Sequence, residues 1–112
     1  MQEQKIQECF ALADLQQLLK QSPDQLTIID VRSPEEFAEK HIPGAINIPL
    51  SELESRSNEL SKQAIIITAC GKGGGRSAQG AELLQGMGFN NSKFLCGGTF
   101  GWYDSEVISG KP

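Results

Sequence analysis

Short apolar runs alternate along the chain with segments whose apolar residues recur at helical spacing. The runs predict five strands, at residues 5–10, 26–30, 45–48, 64–68 and 93–95. The segments between them predict helices at residues 13–20, 34–39, 49–60 and 77–87, with one more short helix within 97–109. Strands that alternate with helices indicate an α/β fold, with a parallel sheet and helices on both faces. Binding sites in such folds lie beyond the carboxyl ends of the strands.

Two polar segments follow predicted strands at that edge. Asp30 and Arg32 end the second strand, and Cys70 follows the fourth. The helix after Arg32 has a strong start signal, because Ser33 and Glu36 are spaced as a capping box. Asp30 and Arg32 either orient the Cys70 segment or, as we favour, form a structural ion pair and help to cap the helix.

The segment from Cys70 to Ser77 has the strongest chemical signal in the chain. Glycines allow φ above zero, so consecutive backbone N–H groups can converge on an anion, and the helix that follows adds positive potential. Lys72 and Arg76 add full positive charges. Cys70, at the mouth of this loop, is predicted to be a reactive thiolate nucleophile. The predicted anion-binding residues are Gly71, Lys72, Gly73, Gly74, Gly75, Arg76 and Ser77.

Two other interpretations of this loop are open. It could be a flexible glycine loop next to a buried cysteine, or it could be a nucleotide-binding loop. Arg76 and the predicted helix after it argue against the first interpretation. The lack of a Gly-Lys-Ser/Thr ending argues against the second.

Composition narrows the class of protein. The 112 residues, with a net charge of −4, fit one domain, taken as residues 1–112. The lack of a long basic run argues against a nucleic-acid partner. No stretch is long and apolar enough to cross a membrane, and the polar N-terminus lacks the apolar core of a signal peptide. These features predict a cytoplasmic protein with no membrane partner.

The cysteines, Cys9, Cys70 and Cys96, are three in number and widely spaced. That pattern predicts neither a disulfide framework nor a zinc site. In a reducing compartment, at least one thiol is free for chemistry. Cys96 is either a core residue or a thiol that resolves a sulfenic acid or persulfide at Cys70, and Cys9 has no predicted role. Neither a metal nor an organic cofactor is called for.

Three ordered motifs resemble the rhodanese (sulfurtransferase) family, over roughly residues 6–108. They are Ile29–Phe37 with His41–Pro49, Ile65–Ser77, and Leu95–Gly98 followed by Trp102. The resemblance implies a single rhodanese-like domain with a five-stranded parallel sheet. It also implies that Cys70 takes a sulfane sulfur, as a persulfide, from a small anionic donor such as thiosulfate. The sulfur would then pass to cyanide, a thiol or a protein acceptor.

The loop departs from the usual family pattern in its length. Five residues separate Cys70 from Arg76, where common rhodanese loops have four, and five is the spacing of rhodanese-fold phosphatases and arsenate reductases. Those phosphatases carry a histidine before the cysteine and a glutamate in the loop, where Ala69 and Gly75 stand here, and phosphate-ester cleavage usually needs an acid. Sulfur transfer is therefore favoured. The alternatives are a phosphatase or arsenate reductase, and a non-catalytic sulfur carrier or binding module.

The remaining candidate residues carry weaker signals. His41, the single histidine, precedes a turn that matches the family and is expected to be structural. Lys72 is expected to contact the substrate anion. Phe100, Trp102 and Tyr103 either wall the site or form a hydrophobic plug at the chain end.

Overall fold

The computed structural model describes residues 9–72 and 75–109. Its strands are β1 (Leu26–Asp30), β2 (Ile46–Asn47), β3 (Ile65–Ala69) and β4 (Ser92–Phe94). They form one parallel sheet in the order β2-β1-β3-β4. The α-helices are α1 (Leu12–Gln21), α2 (Pro34–Glu39), α3 (Leu50–Leu53), α4 (Arg76–Gly86) and α5 (Gly98–Ser109).

Apolar side chains on the two faces of the sheet form two separate cores. Successive residues of a strand point to opposite faces, so neighbouring isoleucines of β1 and β3 enter different cores. The core shared with α3 and α4 contains Ile29, Val31, Ile48, Leu53, Ile66, Cys70, Leu84 and Phe89. The core shared with α1 and α5 contains Leu15, Ile28, Ile42, Ile67, Ala69, Leu95 and Trp102. Helices on both faces of a parallel sheet confirm the predicted α/β fold.

The sheet has four strands among the described residues, where five were expected. Most of the first predicted strand, residues 5–10, lies outside the described residues. Its last residue, Phe10, makes a single parallel bridge with Leu95, directly after β4. Among the described residues, this bridge is therefore the trace of the expected first strand, and it lies next to β4 at the edge of the sheet.

The described helices match the predictions except at residues 49–60. There α3 ends at Leu53, and a separate 3-10 turn follows it. Ser55 and Ser57 each donate a side-chain hydrogen bond to a backbone carbonyl three residues earlier. Such bonds compete with the helical hydrogen bonds, so the predicted long helix is wrong in extent. None of the described helices is long and apolar enough to span a bilayer.

The prediction that the cysteines form no disulfide is wrong, because Cys9 and Cys96 are joined by one. Phe10 N–H donates to the Phe94 carbonyl, and Cys96 N–H donates to the Phe10 carbonyl. This backbone pairing brings the Cα atoms of Cys9 and Cys96 to 4.9 Å, within the range that a disulfide needs. The two residues are 87 positions apart, so no local pattern indicates their pairing. The disulfide also removes the cysteine count as an argument for a reducing compartment.

Reducing this disulfide is expected to lower the free energy of unfolding by roughly 2–4 kcal/mol, because the cross-link restricts the unfolded chain over a long loop. Urea denaturation with and without a phosphine reductant measures the difference. The double variant Cys9→Ser/Cys96→Ser is the control, and reductant should leave its stability unchanged. Equal unfolding midpoints for the oxidised and reduced wild type would contradict the expectation.

Candidate active site

Parallel pairing brings the ends of β1 and β3 to one edge of the sheet. Asp30 is in register with Ala69, and Val31 N–H donates to the Ala69 carbonyl at 3.0 Å. Cys70 follows Ala69 directly, and Arg32 follows Val31. The two polar segments therefore meet at the carboxyl edge, as their positions after predicted strands indicate.

Cys70 is the cysteine that does not take part in the disulfide, and its residue surface is only 6% exposed. Its Sγ lies 3.3 Å from Ser77 Oγ. Ser77 is fully buried in the first turn of α4, and its carbonyl accepts a 2.8 Å hydrogen bond from Thr68 Oγ1 of β3. The start of α4 is thus fixed beside Cys70. The Ser77 hydroxyl is placed to donate to the sulfur when that sulfur is ionised.

Gly75 shapes the end of the loop that separates Cys70 from α4. Its φ of +50° and ψ of −116° form a backbone conformation that side-chain-bearing residues rarely adopt. Lys72, earlier in the loop, is exposed. Gly73 and Gly74 lie outside the described residues. Anion binding by residues 71–76 therefore stays a prediction.

The first turn of α5 lies against the Cys70 loop. Thr99 N–H donates to the Cys70 carbonyl at 2.7 Å, and Phe100 N–H donates to the Gly71 carbonyl at 2.9 Å. The Phe100 ring also lies so close to Gly71 that an added Cβ there would be 3.2 Å from Cε2 of the ring. Phe100 is 44% exposed, whereas Trp102 is buried in the core. Of the three aromatic candidates, Phe100 is the one that contacts the loop directly.

Arg76 forms an ion pair with Glu36 of α2. Arg76 Nη1 donates to Glu36 Oε1 at 3.0 Å, and Nη2 donates to Oε2 at 3.3 Å. These bonds, followed by hydrogen bonds from Ser33, lower the pKa of the Glu36 carboxyl from 4.5 to about 2. Because the pKa is lowered on folding, the stabilisation is complete above pH 4.5 and is lost as the pH falls towards 2. The sequence indicated Glu36 only as a capping residue, since a partner 40 positions away leaves no local signal.

Asp30 and Arg32 form a buried ion pair, with side chains 1% and 3% exposed. Arg32 Nη2 donates to Asp30 Oδ2 at 2.8 Å, and Arg32 Nε donates to Asp30 Oδ1 at 3.0 Å. The hydrogen bond to Asp30 is the main reason that the pKa of Arg32 is raised. Arg32 Nη2 also donates to the Lys40 carbonyl at 2.6 Å. The pair therefore joins the end of β1 to the end of α2, as expected of a structural ion pair.

His41 lies in a structural setting. Its ring stacks on Phe37 with centroids 3.8 Å apart, and its Nδ1 lies 2.8 Å from the Phe37 carbonyl. Tyr103 Oη donates to the His41 carbonyl at 2.6 Å. These contacts give His41 and Tyr103 roles in joining α2 to α5.

The sequence of this chain is similar to those of known sulfur-handling proteins. The putative sulfur carrier protein YrkF of Bacillus subtilis is 43% identical over 68 residues, which are 61% of this chain and 36% of that protein. The chain therefore spans about a third of the length of YrkF. The human thiosulfate:glutathione sulfurtransferase is 32% identical over 110 residues, covering 86% of this chain and 93% of that protein.

A solved structure and a family model extend the comparison to nearly the whole chain. The human single-domain sulfurtransferase TSTD1 has a TM-score of 0.74 and 29% identity, over 88% of this chain and 97% of that chain. The model of the rhodanese-like domain matches residues 11–105. That match includes both β1 and β3, the Cys70 loop between β3 and α4, and the first turn of α5. The chain therefore belongs to the rhodanese-like domain family.

Proposed function

We propose that the protein is a sulfurtransferase that carries a sulfane sulfur on Cys70. The observation that carries the proposal is the placement of this cysteine, which lies outside the disulfide. It lies at the carboxyl end of β3, within hydrogen-bond distance of Ser77 and in the same loop as Arg76. A nucleophilic thiolate needs hydrogen-bond donors and positive charge near the sulfur. The Ser77 hydroxyl beside Cys70 and the charge of Arg76 at the end of the same loop support that role.

The first half of the reaction loads the sulfur. The Cys70 thiolate attacks the outer sulfur of thiosulfate, a new S–S bond forms, and the original S–S bond breaks. Sulfite leaves with the electron pair of that broken bond. Sulfite is a stable anion, so this step needs no acid to protonate the leaving group.

The second half returns Cys70 to its starting state. A nucleophilic acceptor, such as cyanide or a thiolate, attacks the outer sulfur of the Cys70 persulfide. The S–S bond breaks, and Cys70 leaves as the thiolate. The product is thiocyanate or a persulfide of the acceptor thiol. The thiosulfate and glutathione in the name of the human relative support an anionic donor and a thiol acceptor.

A phosphatase or arsenate reductase is the second candidate, and one observation favours it. Five residues separate Cys70 from Arg76, and this wide loop could hold a tetrahedral oxyanion. Ester cleavage usually also needs a protonated acid near the leaving oxygen. The Glu36 carboxyl is bound to Arg76 and has a pKa of about 2, so it is ionised at neutral pH and offers no proton. Sulfur transfer therefore remains the better supported activity.

Incubation of the wild-type protein with thiosulfate, followed by intact-mass measurement, tests the proposal. We expect a gain of one sulfur atom per chain, because the other two cysteines are joined in the disulfide and Cys70 keeps its thiol. Cyanide should remove that sulfur and release thiocyanate. Hydrolysis of an aryl phosphate without any gain of sulfur would contradict the proposal and favour the phosphatase.

Turnover separates an enzyme from a carrier. With excess thiosulfate and excess glutathione or cyanide, a sulfurtransferase forms many product molecules per chain. A carrier that hands its sulfur only to a specific protein partner would load once and then stop. A single sulfur load with no turnover on either acceptor would therefore favour the carrier.

A further inference from the structure

The Glu36 carboxylate takes part in two interactions, the capping box of α2 and the ion pair with Arg76. Its Oε1 accepts hydrogen bonds from the backbone N–H and the hydroxyl of Ser33, at 3.0 and 3.1 Å, which completes the capping box of α2. The same carboxylate binds Arg76, the residue that ends the Cys70 loop and begins α4. Among the described residues, this is the ion pair that ties the loop to the opposite side of the site.

Helix capping alone does not account for a charged residue at position 36. A capping box accepts glutamine as well as glutamate, because one side-chain oxygen is enough to bind the Ser33 N–H. The second oxygen, Oε2, accepts a hydrogen bond from Arg76 Nη2, and the negative charge attracts the guanidinium as well as the N-terminus of α2. The choice of an acid at this position therefore relates to the arginine as well as to the helix.

Among the described residues, Glu36 is the hydrogen-bond partner of the Arg76 side chain. The arginine side chain is 46% exposed, and the residue before it is Gly75, which provides no side chain to pack against. A long exposed arginine samples many rotamers, and binding an anion would have to order it. The two parallel hydrogen bonds to Glu36 fix the plane of the guanidinium before any ligand arrives. The remaining N–H groups of Arg76 stay available to an anion, because the guanidinium has five donors.

Electrostatics places this guanidinium in the field of the nucleophile. The pKa of Arg76 is raised, first by the hydrogen bonds to Glu36 and to a smaller degree by the negative charges of Cys70 and Asp30. An anion bound in front of the Cys70 sulfur would lie in the field of the same guanidinium.

We propose that Glu36 is a positioning residue, which holds Arg76 in the orientation that binds the oxyanion of the sulfur donor, so that the site prefers anionic donors over neutral ones. The inference rests on the proposed sulfurtransferase function for the identity of the donor. The inference predicts that removing the negative charge of Glu36 weakens anion binding, which is opposite to the Coulomb expectation. Removing a negative charge near an anion site should strengthen anion binding by simple Coulomb attraction, whereas loss of a positioning residue should weaken it.

The variant Glu36→Gln tests the inference, because glutamine can still cap α2. The first measurement is the rate at which iodoacetamide, a neutral reagent, alkylates Cys70. The second is the concentration of sulfate that slows this alkylation by half. We expect Glu36→Gln to leave the alkylation rate without sulfate within about twofold and to raise the sulfate concentration needed for half-protection roughly fivefold. In thiosulfate loading, the variant should show a similar rise in KM with little change in kcat.

Two controls make the result specific. Glu35→Gln makes the same change of charge one position earlier, at an exposed side chain of the same helix, and should leave sulfate protection unchanged or slightly stronger. In an Arg76→Ala background, Glu36→Gln should have no further effect on sulfate protection, because its action passes through the arginine. Unchanged or stronger protection in Glu36→Gln alone would overturn the inference, as would an equal loss in the Arg76→Ala background.

The sulfate measurement does not depend on sulfur transfer. If the wild type gains no sulfur from thiosulfate but Glu36→Gln weakens sulfate protection, the proposed function fails and the role of Glu36 stands. If thiosulfate loads the wild type and the variant equally well, and sulfate protects both equally, the positioning role fails and the proposed function stands. A wild type that sulfate does not protect at all would also overturn the positioning role.

Discussion

Substituting Cys70 with serine will abolish the gain of sulfur from thiosulfate and lower the rate of sulfur transfer by roughly a thousandfold or more, because the atom that carries the intermediate is gone. The fold should survive. The serine hydroxyl would lie near Ser77 Oγ, where Cys70 Sγ now lies at 3.3 Å, so the new polar group has a partner. Intact mass after thiosulfate treatment and thiocyanate release in the presence of cyanide measure the two effects.

The variant Cys70→Ala separates chemistry from packing, because it removes the sulfur and adds no polar group to the core. It should lose sulfur loading as completely as the serine variant. The double variant Cys9→Ser/Cys96→Ser is the matched control for the other two cysteines and should still take up one sulfur atom. A gain of sulfur that persists in Cys70→Ser would place the nucleophile on Cys9 or Cys96 and refute the assignment.

Replacing Arg32 with alanine is expected to lower the free energy of unfolding by roughly 3–5 kcal/mol, because it leaves the Asp30 carboxylate buried without its charged partner. Asp30 is 1% exposed and Arg32 is 3% exposed, so the pair lies away from solvent. The substitution also removes the donor to the Lys40 carbonyl, which joins the ends of β1 and α2. The loss in the free energy of unfolding is measured by urea denaturation, with circular dichroism as the signal.

Arg56 offers the matched control for that measurement. It forms ion pairs with Glu52 and Glu59 at 3.1 and 3.0 Å, but its side chain is 38% exposed. Exposed pairs of this kind contribute little, so Arg56→Ala should shift the urea midpoint far less than Arg32→Ala does. Similar small losses in Arg32→Ala and Arg56→Ala would show that burial does not determine the strength of the Asp30–Arg32 pair.

Local patterns predicted the framework of the fold and the position of Cys70 at the carboxyl edge of the sheet. The apolar runs of β1 and β3 are visible in the sequence because each is short, apolar and followed by a polar residue. The capping box at Ser33 and Glu36 is visible because its two residues are three positions apart. Parallel pairing then places Cys70 beside Asp30, which requires only that the strands be adjacent.

The contacts that the sequence did not reveal join residues far apart in the chain. The Cys9–Cys96 disulfide, the Glu36–Arg76 pair and the contact of Phe100 with Gly71 each depend on tertiary packing rather than on spacing. An odd number of cysteines argues against a disulfide only if every cysteine is expected to be paired. Here Cys70 keeps its thiol, while the other two cysteines are joined in a disulfide.

The backbone hydrogen bonds from Thr99 and Phe100 to the Cys70 loop have a practical consequence for spectroscopy. Trp102, the single tryptophan of the protein, lies in the same helix, two residues after Phe100, and is 6% exposed. A buried indole in the helix that contacts the Cys70 loop provides an intrinsic fluorophore for that loop. Under the proposed mechanism, we expect stopped-flow emission at this fluorophore to follow the loading and release of sulfur at Cys70 in real time, with no dye attached to that thiol.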